Sequence, residues 1–193
     1  MANWCLTEYK CVGDPKEVRE IYKALESIEQ RNTTIVKNSF GKWWIGNLVK
    51  VLGGDCMNCS CRGKILNYSL SNNILTITQS TAWKEQKGVR QIIEEKFPRV
   101  KVYYRESEAN CEIYNTNDLN RTYFQEQYLV ENNNEPIYFR TIEDVAEWAS
   151  NLVGRKVEAN MIKIQKALDE YAKVQGEPEN YFYDLHEFQI VDD

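Results

Sequence analysis

SNNILTITQSTAWKEQKGVRQIIEEKFPRVKVYYRESEANCEIYN, residues 71–115, reads as strand, helix, strand, strand with short connections, and the rest of the chain covers or extends it. Leu75 and Ile77 alternate with Ile74, Thr76 and Thr78, a β-branched run entered through the turn-forming Ser71-Asn72-Asn73, which predicts a strand reached by a hairpin. Val89, Ile92, Ile93 and Phe97 then fall on one helix face. Pro98 ends that helix, because it has no N–H to give and disfavours a helical predecessor. Val100, Val102 and Tyr104 alternate with Lys101, Tyr103 and Arg105, which makes a strand with one apolar and one wetter face. Cys111 to Asn115 adds a further strand.

Upstream, residues 2–12 carry Trp4 and Leu6 on one face and Cys5, Tyr9 and Cys11 on the other, a first strand. Asp14-Pro15 is a helix start, and Val18, Ile21, Tyr22, Leu25 and Ile28 carry the helix to about Arg31. Residues 32–61 shift in composition, with four glycines, paired tryptophans Trp43 and Trp44, a cysteine cluster and a short helix through Leu48 stopped at Gly53-Gly54. Residues 62–70 return as a strand with Leu66, Tyr68 and Leu70 on one face. The order β-α-insertion-β-β-α-β predicts an α+β fold of the ferredoxin-like, split βαβ kind over residues 1–116: an antiparallel sheet, both helices on one face, and an insertion at 32–61 between the first helix and the second strand.

Residues 117–193 predict a C-terminal α/β extension packed on that core. Tyr123-Phe124, Tyr128-Leu129-Val130 and Ile137-Tyr138-Phe139 read as short strands. Thr141 caps a helix that Gly154 stops, and Met161, Ile164, Leu168 and Tyr171 mark a last helix. The tail from Tyr181 to Phe188 is too aromatic for disorder and is expected to lie back on the body or meet a partner.

The 193 residues carry a net charge of −5, which argues against a dedicated nucleic-acid binder. Residues 84–105 nevertheless hold seven Lys or Arg against three Glu, and Tyr103 between Lys101 and Arg105 is the one place on a wetter strand face where a base could stack. The opening MANWCLTEYKCVG lacks the pattern of a secretory signal, and no apolar run nears the roughly 20 residues that span a bilayer, so a cytoplasmic protein with no membrane association and reduced thiols is expected.

Cys56-Met57-Asn58-Cys59-Ser60-Cys61 is the sharpest local signal, since three soft thiolates in six residues could hold Zn²⁺. A closed site wants a fourth ligand, and the one histidine, His186, lies far off in the tail. A redox role is disfavoured because such a pair normally opens a helix, whereas this cluster precedes a strand. Glu106, Glu108, Glu112 and Asp118 crowd one strand end and read as a solvated turn. There is no phosphate-cradling glycine motif, no base for a nucleophile and no cofactor signature, and the tryptophans Trp43, Trp44 and Trp83 read first as anchors.

Met1-Ala2-Asn3-Trp4-Cys5 at the start, Asp55, Arg62-Gly63 before the second strand, Thr81-Ala82-Trp83 after the third and Lys96-Phe97-Pro98 closing the second helix together resemble the YubB ferredoxin-like domain proteins of bacteria, plasmids and phages, related to phage proteins of the Api type. The resemblance covers roughly residues 1–116. Family members often place Ser-Pro-Pro where this chain has Lys84-Glu85-Gln86, and a glycine where it has Ser107 to Asn110. The resemblance implies a fold and a mobile-element or phage origin, and no catalytic residue. The reading is therefore a non-catalytic binding or adaptor protein that meets a protein partner through the open sheet face or near Trp43, Trp44 and Trp83. The alternatives are nucleic-acid binding through residues 84–105, with Lys101, Tyr103 and Arg105, and a zinc module or metal-dependent enzyme on Cys56, Cys59 and Cys61.

Overall fold

The computed structural model describes residues 3–176 and 182–192, so Met1, Ala2 and Tyr181 lie outside the described residues. The chain is a mixed α+β protein with mostly antiparallel sheet and five α-helices. It divides into two compact units, Met1–Asp118 with Val191–Asp193, and Leu119–Ile190.

The first unit contains β1 (Trp4–Gly13), α1 (Pro15–Glu29), α2 (Ile45–Val51), β2 (Gly63–Ser71), β3 (Ile74–Ala82), α3 (Lys87–Lys96), β4 (Val100–Glu108) and β5 (Ile113–Thr116). Its strands lie in the order β2-β3-β1-β4-β5, with every neighbour antiparallel. Alternation fixes which side of each strand is buried. Tyr9 and Cys11, Leu75 and Ile77, and Val100, Val102 and Tyr104 point into one core, and α1, α2 and α3 fill it with Ile21, Leu25, Leu48, Val49, Val89 and Ile93. Each fully buried side chain of this size contributes about 2 kcal/mol. The insertion is thus part of the core through α2 rather than an appendage. Asp14 starts α1 by accepting from the Lys16 and Glu17 amides at 3.0 and 3.1 Å, and its own amide donates to the Arg99 carbonyl, which ties the helix start to the start of β4.

Three expectations are corrected. The second strand does not carry Leu66, Tyr68 and Leu70 on one face: the register slips between Ile65 and Asn67, so the extra residue, Leu66, stands half exposed while Ile65 and Tyr68 both serve the core. Tyr123-Phe124 is not a strand, although Phe124 is fully buried. Glu106, Glu108 and Asp118 are buried rather than solvated, because Glu106 and Glu108 continue the core-facing alternation of β4.

The second unit contains β6 (Tyr128–Asn132), β7 (Ile137–Phe139), α4 (Ile142–Val153), α5 (Met161–Gln175) and β8 (Tyr183–Glu187), with strand order β7-β6-β8. A full capping box starts α4, in which Thr141 and Asp144 bond each other's backbone N–H, and Gly154, in the left-handed conformation, ends it. Val130, Val145, Ala149, Ile164, Leu168 and Leu185 form a core of its own. The aromatic tail therefore completes a sheet through β8, and Tyr138 stacks on Phe188 at 6.3 Å.

Candidate functional site

The face of the first sheet opposite its helices carries the second half of the alternation. Registers place Leu6 between Ser80 and Ser107, Glu8 between Thr78 and Arg105, and Lys10 between Thr76 and Tyr103. At one end of this face the side chains turn apolar. Trp4, Leu6 and Leu66 are 50%, 40% and 50% exposed, and Phe40 from the insertion meets Trp4 edge-on at 6.0 Å. Trp4, Ser39, Phe40, Lys64 and Ser80 line a shallow depression of about 390 Å³. Its lining combines two serine hydroxyls, two aromatic rings and the Lys64 cation.

This patch adjoins the margin of the sheet. β2 has β3 on one side; on the other, among the described residues, backbone contact comes only at its start, where Ile65 donates to the Trp43 carbonyl at 2.8 Å and Trp44 bridges Lys64. Beyond the bulge, no backbone hydrogen bond joins the outer side of the strand to another described segment, which is the arrangement that accepts an added strand.

The three tryptophans named from sequence do not line one groove. The Trp43 ring packs on Tyr68 at 5.9 Å, with Tyr22 on Tyr68 at 5.5 Å and the Tyr68 hydroxyl donating to Glu29, so Trp43 fastens the insertion to β2. The Trp44 indole N–H donates to the Cys61 carbonyl at 2.5 Å and its ring covers Gly46, where a Cβ would stand 2.4 Å from it. Trp83 is 44% exposed and sits in the left-handed region at φ 72°, where its amide donates to the Asn3 carbonyl.

Four of the seven cations in the basic run 84–105 are paired with carboxylates. Arg90 pairs with Glu85 at 3.0 Å, Arg99 with Asp14 and Glu17, Lys101 with Glu94 at 3.2 Å, and Arg105 with Glu8 at 3.9 Å. Tyr103 lies on the open face between Lys101 and Arg105, but its neighbours' charges are already engaged. Glu85 and Glu94 lie inside the same window, whereas Glu8, Asp14 and Glu17 come from β1 and the start of α1, which a count over 84–105 leaves out.

A buried polar cluster escaped the sequence reading. The Tyr9 hydroxyl donates to Glu85 Oε1 at 2.6 Å, Arg90 Nε donates to the same oxygen at 3.0 Å and lies over the Tyr104 ring at 5.0 Å, and the Glu85 amide donates to Glu106 Oε2 at 2.5 Å. Burial pushes the Glu85 carboxyl up against the opposing pull of Arg90 and the Tyr9 hydroxyl. Burial likewise drives Tyr9 well above its ordinary value, and Glu85 adds to the effect. Gln79, 1% exposed, has no hydrogen-bond partner for either amide atom among the described residues. Glu108 is buried, which would raise it, but donors at Cys111 and Asn110 outweigh that and hold it low, because it caps the short turn Ala109–Cys111. The signal was the unbroken alternation of β4 into Glu106 and Glu108, at positions where apolar residues were due.

The cysteine cluster folds into a loop ahead of β2. Cys59 and Cys61 bring their sulfurs to 3.2 Å, and Cys56 and Cys61 are buried. Among the described residues no three His, Cys, Asp or Glu side chains gather as a metal would require, so the zinc module is not supported by geometry. No helix of the described residues is long and apolar enough to cross a membrane. Comparison with family models, with curated proteins and with solved structures finds no match.

Proposed function

We propose that this chain is a non-catalytic binding protein that receives an extended segment of a protein partner along the outer edge of β2, with apolar side chains of that segment seated on Trp4, Leu6, Phe40 and Leu66. The observation that carries this reading is the sheet margin left uncovered beyond the β2 bulge, directly beside half-exposed aromatic and aliphatic side chains. Lys64 calls for a carboxylate on the incoming segment. The core is read as ferredoxin-like; the order β2-β3-β1-β4, antiparallel throughout, supports this, as does the shared core of α1 and α3. Kinship with YubB-like proteins, a mobile-element origin and a cytoplasmic setting are proposed with it, on the residue resemblance and the free thiols.

The test places a photo-crosslinking residue at Leu66, and separately at the control position Lys166, in cells that express the chain natively. A discrete protein adduct is expected from position 66, nuclease-resistant and lost in Trp4→Ser and in Lys64→Glu, but retained in Lys101→Glu/Arg105→Glu. Equal adducts from both positions, or an adduct that survives Trp4→Ser, would overturn the reading. Loss on nuclease treatment would transfer it to nucleic acid.

A further inference from the structure

The loop between α2 and β2 holds three thiols within one short turn, and the fold gives them unequal surroundings. Cys61 is 5% exposed and pinned on every side: its carbonyl accepts from the Trp44 indole, while Ser60 Oγ and the Arg62 amide both donate to Gln86 Oε1, at 2.5 and 3.2 Å. Cys59 is only half-buried and its side chain lies on the first turn of α3, since a Cβ at Gly88 would meet Cys59 Cβ at 3.1 Å and Sγ at 3.9 Å. The two sulfurs stand 3.2 Å apart, so closing them to a bond of about 2.05 Å takes a movement of little more than 1 Å. The sequence places the cluster before a strand, and only the fold brings it to a helix start.

We propose that Cys59 and Cys61 form a thiol–disulfide exchange site whose substrate is a small disulfide of the glutathione type. Cys59, as thiolate, attacks one sulfur of the disulfide; the S–S bond breaks, one thiol leaves with a proton, and a mixed disulfide remains on Cys59. The Cys61 thiol then gives up its proton, attacks Cys59 Sγ and displaces the second small thiol. Two protein thiols are oxidised to one disulfide, and one small disulfide is reduced to two thiols. Burial, with Cys59 and Cys56 beside it, holds the Cys61 thiol well above the ordinary cysteine range, so Cys59 is the sulfur that meets the incoming disulfide. Cys5 and Cys11 are fully buried along β1, where no small disulfide reaches them, and this keeps them out of the exchange. This site is independent of the binding edge.

The experiment incubates the reduced full-length chain with oxidised glutathione under native conditions and follows intact mass and mapped peptides with time. The wild-type chain is expected to lose two hydrogens without retaining an adduct, with the bond mapped to Cys59–Cys61. Cys61→Ser is expected to stop with one glutathione on Cys59. Cys59→Ser is expected to react at least about tenfold more slowly. A stable glutathione adduct on wild-type Cys59, a bond mapped to Cys56, or a Cys59 no faster than the exposed Cys111 would each overturn the proposal. The wild-type map decides the matter even if a serine variant misfolds.

Discussion

At Glu85 three demands meet on one carboxylate. It is buried, it accepts from Tyr9 and Arg90 through one oxygen, and its amide is taken by Glu106. Burial wins over the guanidinium, so the folded protein holds a proton on Glu85 above the ordinary carboxylate value of 4.5. The sign follows. Between that value and the raised one the folded state carries a proton the unfolded chain has lost, so this group's contribution is full at low pH and falls as pH rises. Urea midpoints measured against pH should show Glu85→Gln lacking a fall that the parent shows above about pH 4.5. Equal slopes would mean Glu85 titrates like an exposed group. Arg90→Met removes the guanidinium and leaves the buried Glu85 carboxyl with the Tyr9 hydroxyl as its remaining donor, and should cost about 3–5 kcal/mol. None of this was legible in the sequence, because Glu85 and Arg90 look like ordinary helix-start charges, and only the packing of α3 over Tyr9 removes them from water.

Elements were legible where local chemistry punctuates them. Asp14-Pro15 begins α1, and Thr141 with Asp144 begins α4, because caps are written in consecutive residues. Removing one should act locally: Thr141→Ala is expected to lower unfolding free energy by about 1 kcal/mol, read as a shifted urea midpoint with unchanged slope. No shift would mean that packing alone holds the start of α4. What failed were features set across elements. Period-two reading through 62–70 carried Leu66 inward, yet Tyr68 must reach Tyr22, Trp43 and Glu29, and the strand takes an extra residue to deliver it. The loop Cys59–Cys61 was placed correctly before a strand, but the residue that holds it to the start of α3, the N-cap Gln86, lies 26 residues on from Ser60.

For the whole molecule, separate cores predict separable losses. Leu168 is fully buried in the second core, and Leu168→Ala should remove about 2–5 kcal/mol from that unit. Hydrogen exchange should then quicken in β6, α4 and α5 while the β1 and β3 amides keep their protection. Uniform quickening would show one cooperative block. Trp148 in the second unit, against Trp43 and Trp44 in the first, offers matching fluorescent reporters.

The division of the chain also has a temporal side. Val191 belongs to the first unit: its amide donates to the Thr116 carbonyl and its side chain packs against the first core, so the whole of Leu119–Ile190 is a loop stapled at both ends into another body. During synthesis the five strands β1 to β5 emerge early, yet the piece that seats beside Thr116 arrives only after every residue of the second unit has been made. Until Val191 has been made, the first unit lacks the residue that bonds Thr116, and Leu119–Ile190 is held by it at one end alone. A segment held at both ends has fewer unfolded arrangements than one held at a single end, so anchoring Val191 restricts the unfolded states open to Leu119–Ile190.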